Sequence, residues 1–419
     1  MPLRVRPMVV LGAVCLALTP VVLAAQTTAE SQPTSALQSP TQEELTLGGA
    51  WEAALHGRGV PMAARAGVAA AGGDVRLAGQ IPNPGFLLSY TGAAPSGHAI
   101  LDQPMNWVLT RSADQGAARA LLARAQVDST VQLAELAAEV RRAFYHVLSR
   151  ETRHQLLLDQ QAVSDSVVGI ARRRYQAGDA SQFEMEAAEL DARQHSQLVA
   201  AERDEVAIAR SALGSAIGWA GGSLPPLLGS LEDGLASPVG ADSGRAIPMI
   251  LAAQADSSFG ALALLSAGRA RIPFPSLEIG AEWNDSADPG HTYGVIGVIL
   301  PVPIWNQGGA QVAAAQARAD AAAARVTETR LAARQLVEEA GIRLRGTATR
   351  ARFARDSLVP AAAGLRSRAL AAYQAGETGL VPVLAAIQRE REVQLAAIDA
   401  LMAYQDAVAG LNALLGVMP

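Results

Sequence analysis

Hydrophobic and polar positions alternate in only a few short stretches of this chain. The clearest is Leu277-Glu278-Ile279-Gly280-Ala281-Glu282-Trp283-Asn284. A period of two predicts a strand with one greasy face. Phe86, Leu88 and Tyr90 alternate less cleanly with Leu87, Ser89 and Thr91. Asn106 to Thr110 and Tyr293 to Leu300 suit returning strands. Each half of the chain is thus expected to hold one β-hairpin, with tips near His98 and near Asp285 to His291.

Elsewhere the pattern is helical. Leu45 to Gln80 is broken only around Gly57-Arg58-Gly59 and Pro61, and it stops at Pro82 and Pro84. Ser112 to Gln176 contains no proline and is rich in Ala, Leu, Arg and Glu, all good helix formers. Such a helix would be about 95 Å long. A return helix is expected over Ser181 to Ile217. The scheme then repeats: a helix over Ile247 to Arg271, P-x-P, the strand pair, a long helix from Gly309 to Gln374 and a return helix from Leu380 to Leu415. Pro360 should kink the long helix.

The repetition is also literal. Tyr175-Gln176-Ala177-Gly178 recurs as Tyr373-Gln374-Ala375-Gly376, 198 residues later. Val60-Pro61-Met62 and Pro82-Asn83-Pro84 recur as Ile247-Pro248-Met249 and Pro273-Phe274-Pro275. An internal duplication accounts for all three. It assigns residues 45–218 to a first repeat, 219–245 to a linker or equatorial segment and 246–419 to a second repeat.

At each YQAG a long helix must reverse. Gly suits the left-handed position just past a helix end. Ser181 can cap the next helix, with Glu184 at the third helical position. Thr378 is the corresponding candidate in the second copy, where Pro382 falls in the first turn. Tyr175 and Tyr373 have little core to enter at a hairpin tip. They either pack within the tip or meet a partner.

Composition sharpens the picture. Half of the 419 residues are hydrophobic, but only 4% are aromatic and much of the rest is Ala. Ala-rich faces let long helices approach closely. Phe86, Tyr90, Trp107, Phe274, Trp283, Tyr293 and Trp305 crowd into residues 81–110 and 272–306. Membrane barrels place aromatics at the lipid–water interfaces, which makes Phe86, Tyr90, Trp107, Trp283 and Tyr293 candidate interface residues. Four strands cannot close such a barrel, since known ones begin at about eight. Three copies would supply about twelve. Lipid penalises charge more than a watery pore does, so Glu278, Glu282 and Asn284 are expected to face the lumen.

The N-terminus reads as a secretory signal over residues 1–25. Arg4 and Arg6 precede an apolar run and the small residues Ala24-Ala25. A polar linker follows over 26–44. The single cysteine, Cys15, lies inside the apolar run, so the mature chain is expected to lack thiol chemistry. No later segment offers about 18 unbroken apolar residues, and no further membrane helix is expected. The net charge of −5 gives no reason to expect nucleic acid. There is no H-E-x-x-H, Walker-type loop or G-x-S-x-G elbow. No enzyme activity, cofactor or metal centre is expected.

These features together resemble the TolC-type outer membrane factor family, from about Leu45 to Leu415. LTLGGAWEAAL (45–55) is similar to the family's opening helix. IPNPGFLLSY leads into the first hairpin. LPVPIWNQGGAQVAAAQA, from Leu300, is similar to its proline-rich exit from the last strand, and both YQAG turns to its Y-x-x-G tip motif. The heavy-metal exporting branch is the nearer flavour. The resemblance implies a homotrimer whose α-helical tunnel continues a shared twelve-stranded barrel in the outer membrane. It implies docking to a periplasmic adaptor (a membrane fusion protein) and an inner-membrane transporter. The tip and adaptor contacts would be Tyr175, Gly178, Asp179, Ser181, Tyr373, Gly376, Glu377 and Thr378. The function implied is an exit duct for small molecules or metal ions.

One departure concerns the entrance. Some members carry aspartates after the second tip glycine, whereas Gly379 to Ala385 has no carboxylate. Asp179, Glu184, Glu186 and Glu377 are the acidic candidates instead. The competing reading is a secreted or periplasmic coiled-coil scaffold, or an adaptor-like protein. It explains the helices and the signal but not the paired hairpins with clustered aromatics.

Overall fold

The computed structural model describes residues 44–236, 246–285 and 290–419. The signal expected over 1–25, nearly all of the 26–44 linker and most of the second hairpin tip lie outside them.

Two short helices open the described chain, α1 (Leu47–Gly57) and α2 (Val60–Ala78). Thr46 Oγ1 caps α1 by accepting the Gly49 N–H, and Pro61 occupies the first turn of α2, where its missing N–H costs nothing. Strands β1 (Gly85–Tyr90) and β2 (Gly97–Pro104) follow, then α3 (Trp107–Ala177) and α4 (Gln182–Ile217). The second half gives α5 (Pro248–Ala270), β3 (Ser276–Trp283), β4 (Thr292–Ile299), α6 (Gly309–Phe353), α7 (Val359–Gln374) and α8 (Leu380–Leu415). With 71 residues, α3 is about 105 Å long.

The returning strand of the first hairpin is not Asn106 to Thr110. It is Gly97–Pro104, and Trp107 is the first residue of α3. Strand β2 lies between β1 and β3 and pairs with both, up to Pro104 opposite Ser276. Its sequence sets Ile100 beside Leu101 and Asp102 beside Gln103, which hid the period of two. His98 is within β2, opposite Ser89, rather than in the turn.

Pro360 does interrupt the last long helix, but the irregularity starts upstream. Ala354–Leu358 forms a π-turn, in which the Val359 N–H donates to the Ala354 carbonyl five residues back. A proline ring excludes the carbonyl four positions earlier, here that of Asp356. The wider turn absorbs the misfit.

The 219–236 segment, read as linker, is folded. Leu45 bridges Leu227, and Leu231 and Leu235 are buried in the main core with Phe144, Tyr145, Leu213 and Tyr404. A second, smaller core sits at the hairpin tips: Val167, Ile170, Ala188, Tyr373, Leu380, Val383 and Ile387. Between the two cores the helix contacts turn polar. Glu202 accepts from Arg150, Arg153 bonds Asp399, Gln160 bonds Gln394 and Arg391 contacts His195.

Helix α5 is long and apolar enough to cross a membrane by length and composition, which the sequence reading did not expect. It runs along α3 and α6.

Candidate functional sites: the helical tips and the sheet

The same backbone turn is built twice at the tips. Gly178 (φ 80°) and Gly376 (φ 78°) both adopt the left-handed conformation. Gly178 N–H donates to the Tyr175 carbonyl and Asp179 N–H to that of Arg174. Gly376 N–H donates to the Tyr373 carbonyl and Glu377 N–H to that of Ala372. Each pair of bonds satisfies two of the orphan carbonyls that a helix end leaves. The far ends of α4 and α8 repeat this device. Both helices have 36 residues, and both stop at left-handed glycines, Gly218 and Gly416, again 198 residues apart.

The tips differ in their side chains. Tyr373 is fully buried in the tip core, while Tyr175 is 41% exposed. Arg174 links the two hairpins. Its guanidinium lies over the Tyr373 ring at 4.6 Å, Nη1 donates to the Tyr373 carbonyl, and Nη2 donates to that of Asp179. Burial, with the Glu184 carboxylate adding to it, raises the Tyr373 hydroxyl above its ordinary pKa; Arg174 opposes the shift. Arg174 was missed as a site residue. The signal for it was the run Arg172-Arg173-Arg174 directly before the turn.

Ser181 Oγ accepts the Glu184 N–H at 3.2 Å, as expected. Thr378 does not cap α8. That helix begins at Leu380 with Gly379 at the cap and no side-chain bond there. Both return helices start four residues past their tip glycine, so Gly379 and not Thr378 holds the place of Ser181, and the turn core holds the helix start instead through buried Leu380 and Val383.

The four strands form one antiparallel sheet in the order β1-β2-β3-β4. Residues opposite one another share a face. Ile279 aligns with Leu101 and Ile296, and Leu101 with Phe86. Trp283 aligns with Gly97 and Thr292, and Gly97 with Tyr90. This face is apolar and open. Phe86, Leu88, Tyr90, Ile296 and Val298 are all at least 65% exposed. The Trp283 indole covers Gly97, where any Cβ would collide with it.

The opposite face carries the charge. Glu282 aligns with His98, and His98 Nδ1 lies 3.2 Å from Glu282 Oε1. Glu278 aligns with Asp102, and its carboxylate lies over Gly297. His98 and Asp102 were not assigned to this face from the sequence, because β2 was misplaced. Three expected placements change. Tyr293 aligns with Glu282, so it stands on the charged face and not among the lipid-side aromatics. Trp107 is on a helix. Asn284 follows the end of β3 with φ 60°, so the strand alternation no longer governs it. No group of three or more metal-ligating side chains occurs among the described residues.

Residues 251–417 match the family model described as outer membrane efflux protein. Comparison with curated protein sequences finds no significant match. Three solved structures show a similar fold. CusC, a protein that forms a transmembrane channel, aligns with TM-score 0.75 and 16% identity, covering 89% of this chain and 92% of that one. The outer membrane protein VceC from Vibrio cholerae aligns with TM-score 0.71 and 18% identity, covering 89% and 96%. The outer-membrane channel OprN aligns with TM-score 0.69 and 16% identity, covering 88% and 89%.

Proposed function

We propose that this chain, which carries the outer membrane efflux protein domain over residues 251–417, is the outer-membrane exit duct of a tripartite efflux pump. The observation that carries the reading is the two-faced, open-edged sheet. One face is apolar and solvent-exposed in the single chain; the other holds Glu278, Glu282, His98 and Asp102. Water is a poor solvent for the first face and lipid for the second. Edge strands β1 and β4 have unpaired backbone groups on their outer sides, which a bilayer does not tolerate. Pairing β4 of one copy with β1 of the next removes every edge, and three copies give about twelve strands.

In that assembly the long helices form the periplasmic tunnel and the YQAG turns line its entrance. Tyr175, Gly178, Asp179, Ser181, Gly376, Glu377 and Thr378 are the tip residues offered to a periplasmic adaptor, with Tyr373 and Arg174 behind them. The adaptor connects the duct to an inner-membrane transporter. The duct itself is passive: small molecules or metal ions pass down its lumen, and the transporter chooses them. Glu278 and Glu282 form rings in the lumen that favour cations over anions. A coiled-coil scaffold has no use for an exposed apolar sheet face.

The test is assembly and conductance. The purified protein is expected in the outer-membrane fraction as a trimer with heat-modifiable gel mobility. In planar bilayers, with the entrance opened, it should prefer potassium to chloride, and Glu278→Gln with Glu282→Gln should weaken that preference. A monomeric, membrane-free protein overturns the duct. Unchanged selectivity in the double variant overturns only the lumen assignment.

A further inference from the structure

Strand β4 presents Ile296 and Val298 on the apolar face, 81% and 66% exposed. Apolar residues continue beyond the strand at Leu300, Val302 and Ile304, and Trp305 follows where the chain bends. Pro301 and Pro303 bias Leu300 and Val302 away from helix, and the Ile304 N–H closes a tight turn on the Val302 carbonyl at 2.9 Å. Its side chains are bare: Val302 is 71%, Ile304 63% and Trp305 93% exposed. The first half has nothing similar, because α3 begins three residues after β2 ends at Pro104.

The loop occupies a defined level of the molecule. Strands β1 and β3 start, and β2 and β4 end, at the same rim of the sheet, where the chain passes to and from the helices. Ile81 and Ile272, just before β1 and β3, are also more than half exposed. Between the loop and the end of α5 lies a cleft of about 700 Å³, walled by Ala267, Ala270, Pro273, Val302 and Trp305 and by Arg271. Arg271 Nε donates to the Gln307 carbonyl at 3.0 Å, which fixes the guanidinium at the cleft.

We infer that this rim is a lipid-interface anchor: the 300–308 loop seats among the headgroups of the inner leaflet of the outer membrane, and its cleft holds one phospholipid. The inference rests on reading the apolar sheet face as lipid-facing. Trp is the side chain that settles at the bilayer–water boundary, apolar on one side and wet on the other. The apolar cleft takes part of an acyl chain, and Arg271 takes the phosphate by charge-assisted hydrogen bonds. The occupant is lipid and not a second copy because the loop leaves the apolar face in phase at Leu300 and its cleft joins apolar walls to a cation, Arg271. A second copy adds along the backbone edge of β4, whereas Ile296 and Val298 stand perpendicular to the sheet.

The experiment uses the full chain with Cys15→Ser, reconstituted in phospholipid vesicles. Single cysteines at Trp305→Cys, Ile296→Cys and Tyr293→Cys carry a bimane label. The probes are phosphatidylcholines spin-labelled near the headgroup or near the chain end. The label at 305 should be quenched at least about twofold more by the headgroup-side probe than by the deep one. The label at 296 should be quenched by lipid and that at 293 by neither probe. Quenching at 296 but not at 305 overturns the anchor and leaves the duct standing. No quenching at either position overturns both. Cross-linking of the 305 cysteine to a neighbouring copy's Ile81→Cys, without quenching, gives the cleft to a second copy and also overturns the anchor. Should the cysteine variants fail to assemble, Trp305→Phe must remove the part of the native tryptophan emission that brominated headgroup-side lipid quenches. Arg271→Glu should lower the phospholipid retained on purification; unchanged retention removes the phosphate contact.

Discussion

The two hairpin tips have the same four-residue turn sequence and the same backbone, yet opposite side-chain fates. In the second tip Tyr373 is fully buried under Arg174; in the first, Tyr175 is 41% exposed. The turn needs only a helix end and a glycine free to go left-handed, so identical sequences give identical backbones. What covers a tyrosine depends on which helices lie next to it. Helix α3 packs against both α4 and α8, and it places Arg174 over the second tip. Position 372, the counterpart of Arg174 in the second copy, is Ala. The duplication therefore copied a turn, and the helices packed around the second tip made Tyr373 internal while Tyr175 stayed exposed. The exposed one is free to meet a partner.

The largest effect is expected where this contrast is sharpest. Tyr373→Ala empties a buried site and should destabilise the tip by about 3 kcal/mol, seen as faster amide exchange over 163–190 and 369–390. Tyr175→Ala should leave exchange there unchanged and weaken adaptor binding instead. Equal exchange in the two variants would break the comparison.

Next comes the shared backbone. Gly178→Val and Gly376→Val each force a β-branched residue left-handed, at about 1–2 kcal/mol or more. Neither glycine has a neighbour that an added Cβ would strike, so the cost is conformational and should be similar in the two tips. The double variant is expected to lose export while its barrel still inserts. Normal export by that variant would falsify the account of the turns.

A smaller difference separates the caps. Ser181→Ala should cost about 1 kcal/mol, whereas Thr378→Ala should cost nothing measurable, since Thr378 caps no helix. Thermal melts of the two variants test this. A loss at Thr378 equal to that at Ser181 would restore the symmetry that the structure denies.

The mildest contrast is in pH response. His195 is buried between α3, α4 and α8, while its counterpart in the second repeat is Val393. Burial and then Arg391 lower the His195 pKa, against the raising influence of Asp191 and Asp165. A lowered histidine is neutral in the folded protein. The stability tied to that neutrality is complete above the unfolded value of about 6.5 and is lost as pH falls through the folded value. Wild type should therefore melt at a lower temperature at pH 5 than at pH 7.5, and His195→Gln should reduce that difference. An identical pH dependence in the variant removes His195 as the cause.

Sequence alone determined the helices, because Ala-, Leu-, Arg- and Glu-rich runs without proline have one local answer. It determined both tip turns, whose glycines are required by the backbone itself. It also found β3, where alternation is undiluted, and so put Glu278 and Glu282 on one face. Tertiary structure alone decided β2, whose Ile100-Leu101 and Asp102-Gln103 pairs break the period of two, so that its pairing with β1 and β3 sets the register. With β2 placed, His98 and Asp102 joined the charged face. The register of β4 put Tyr293 there too, while Trp107 moved to a helix. The fate of each tip tyrosine was likewise settled by packing between elements far apart in sequence. Period and propensity act within a few residues, but which residues share a face of the sheet and which tyrosine finds a cover are properties of neighbours the local chain does not encode.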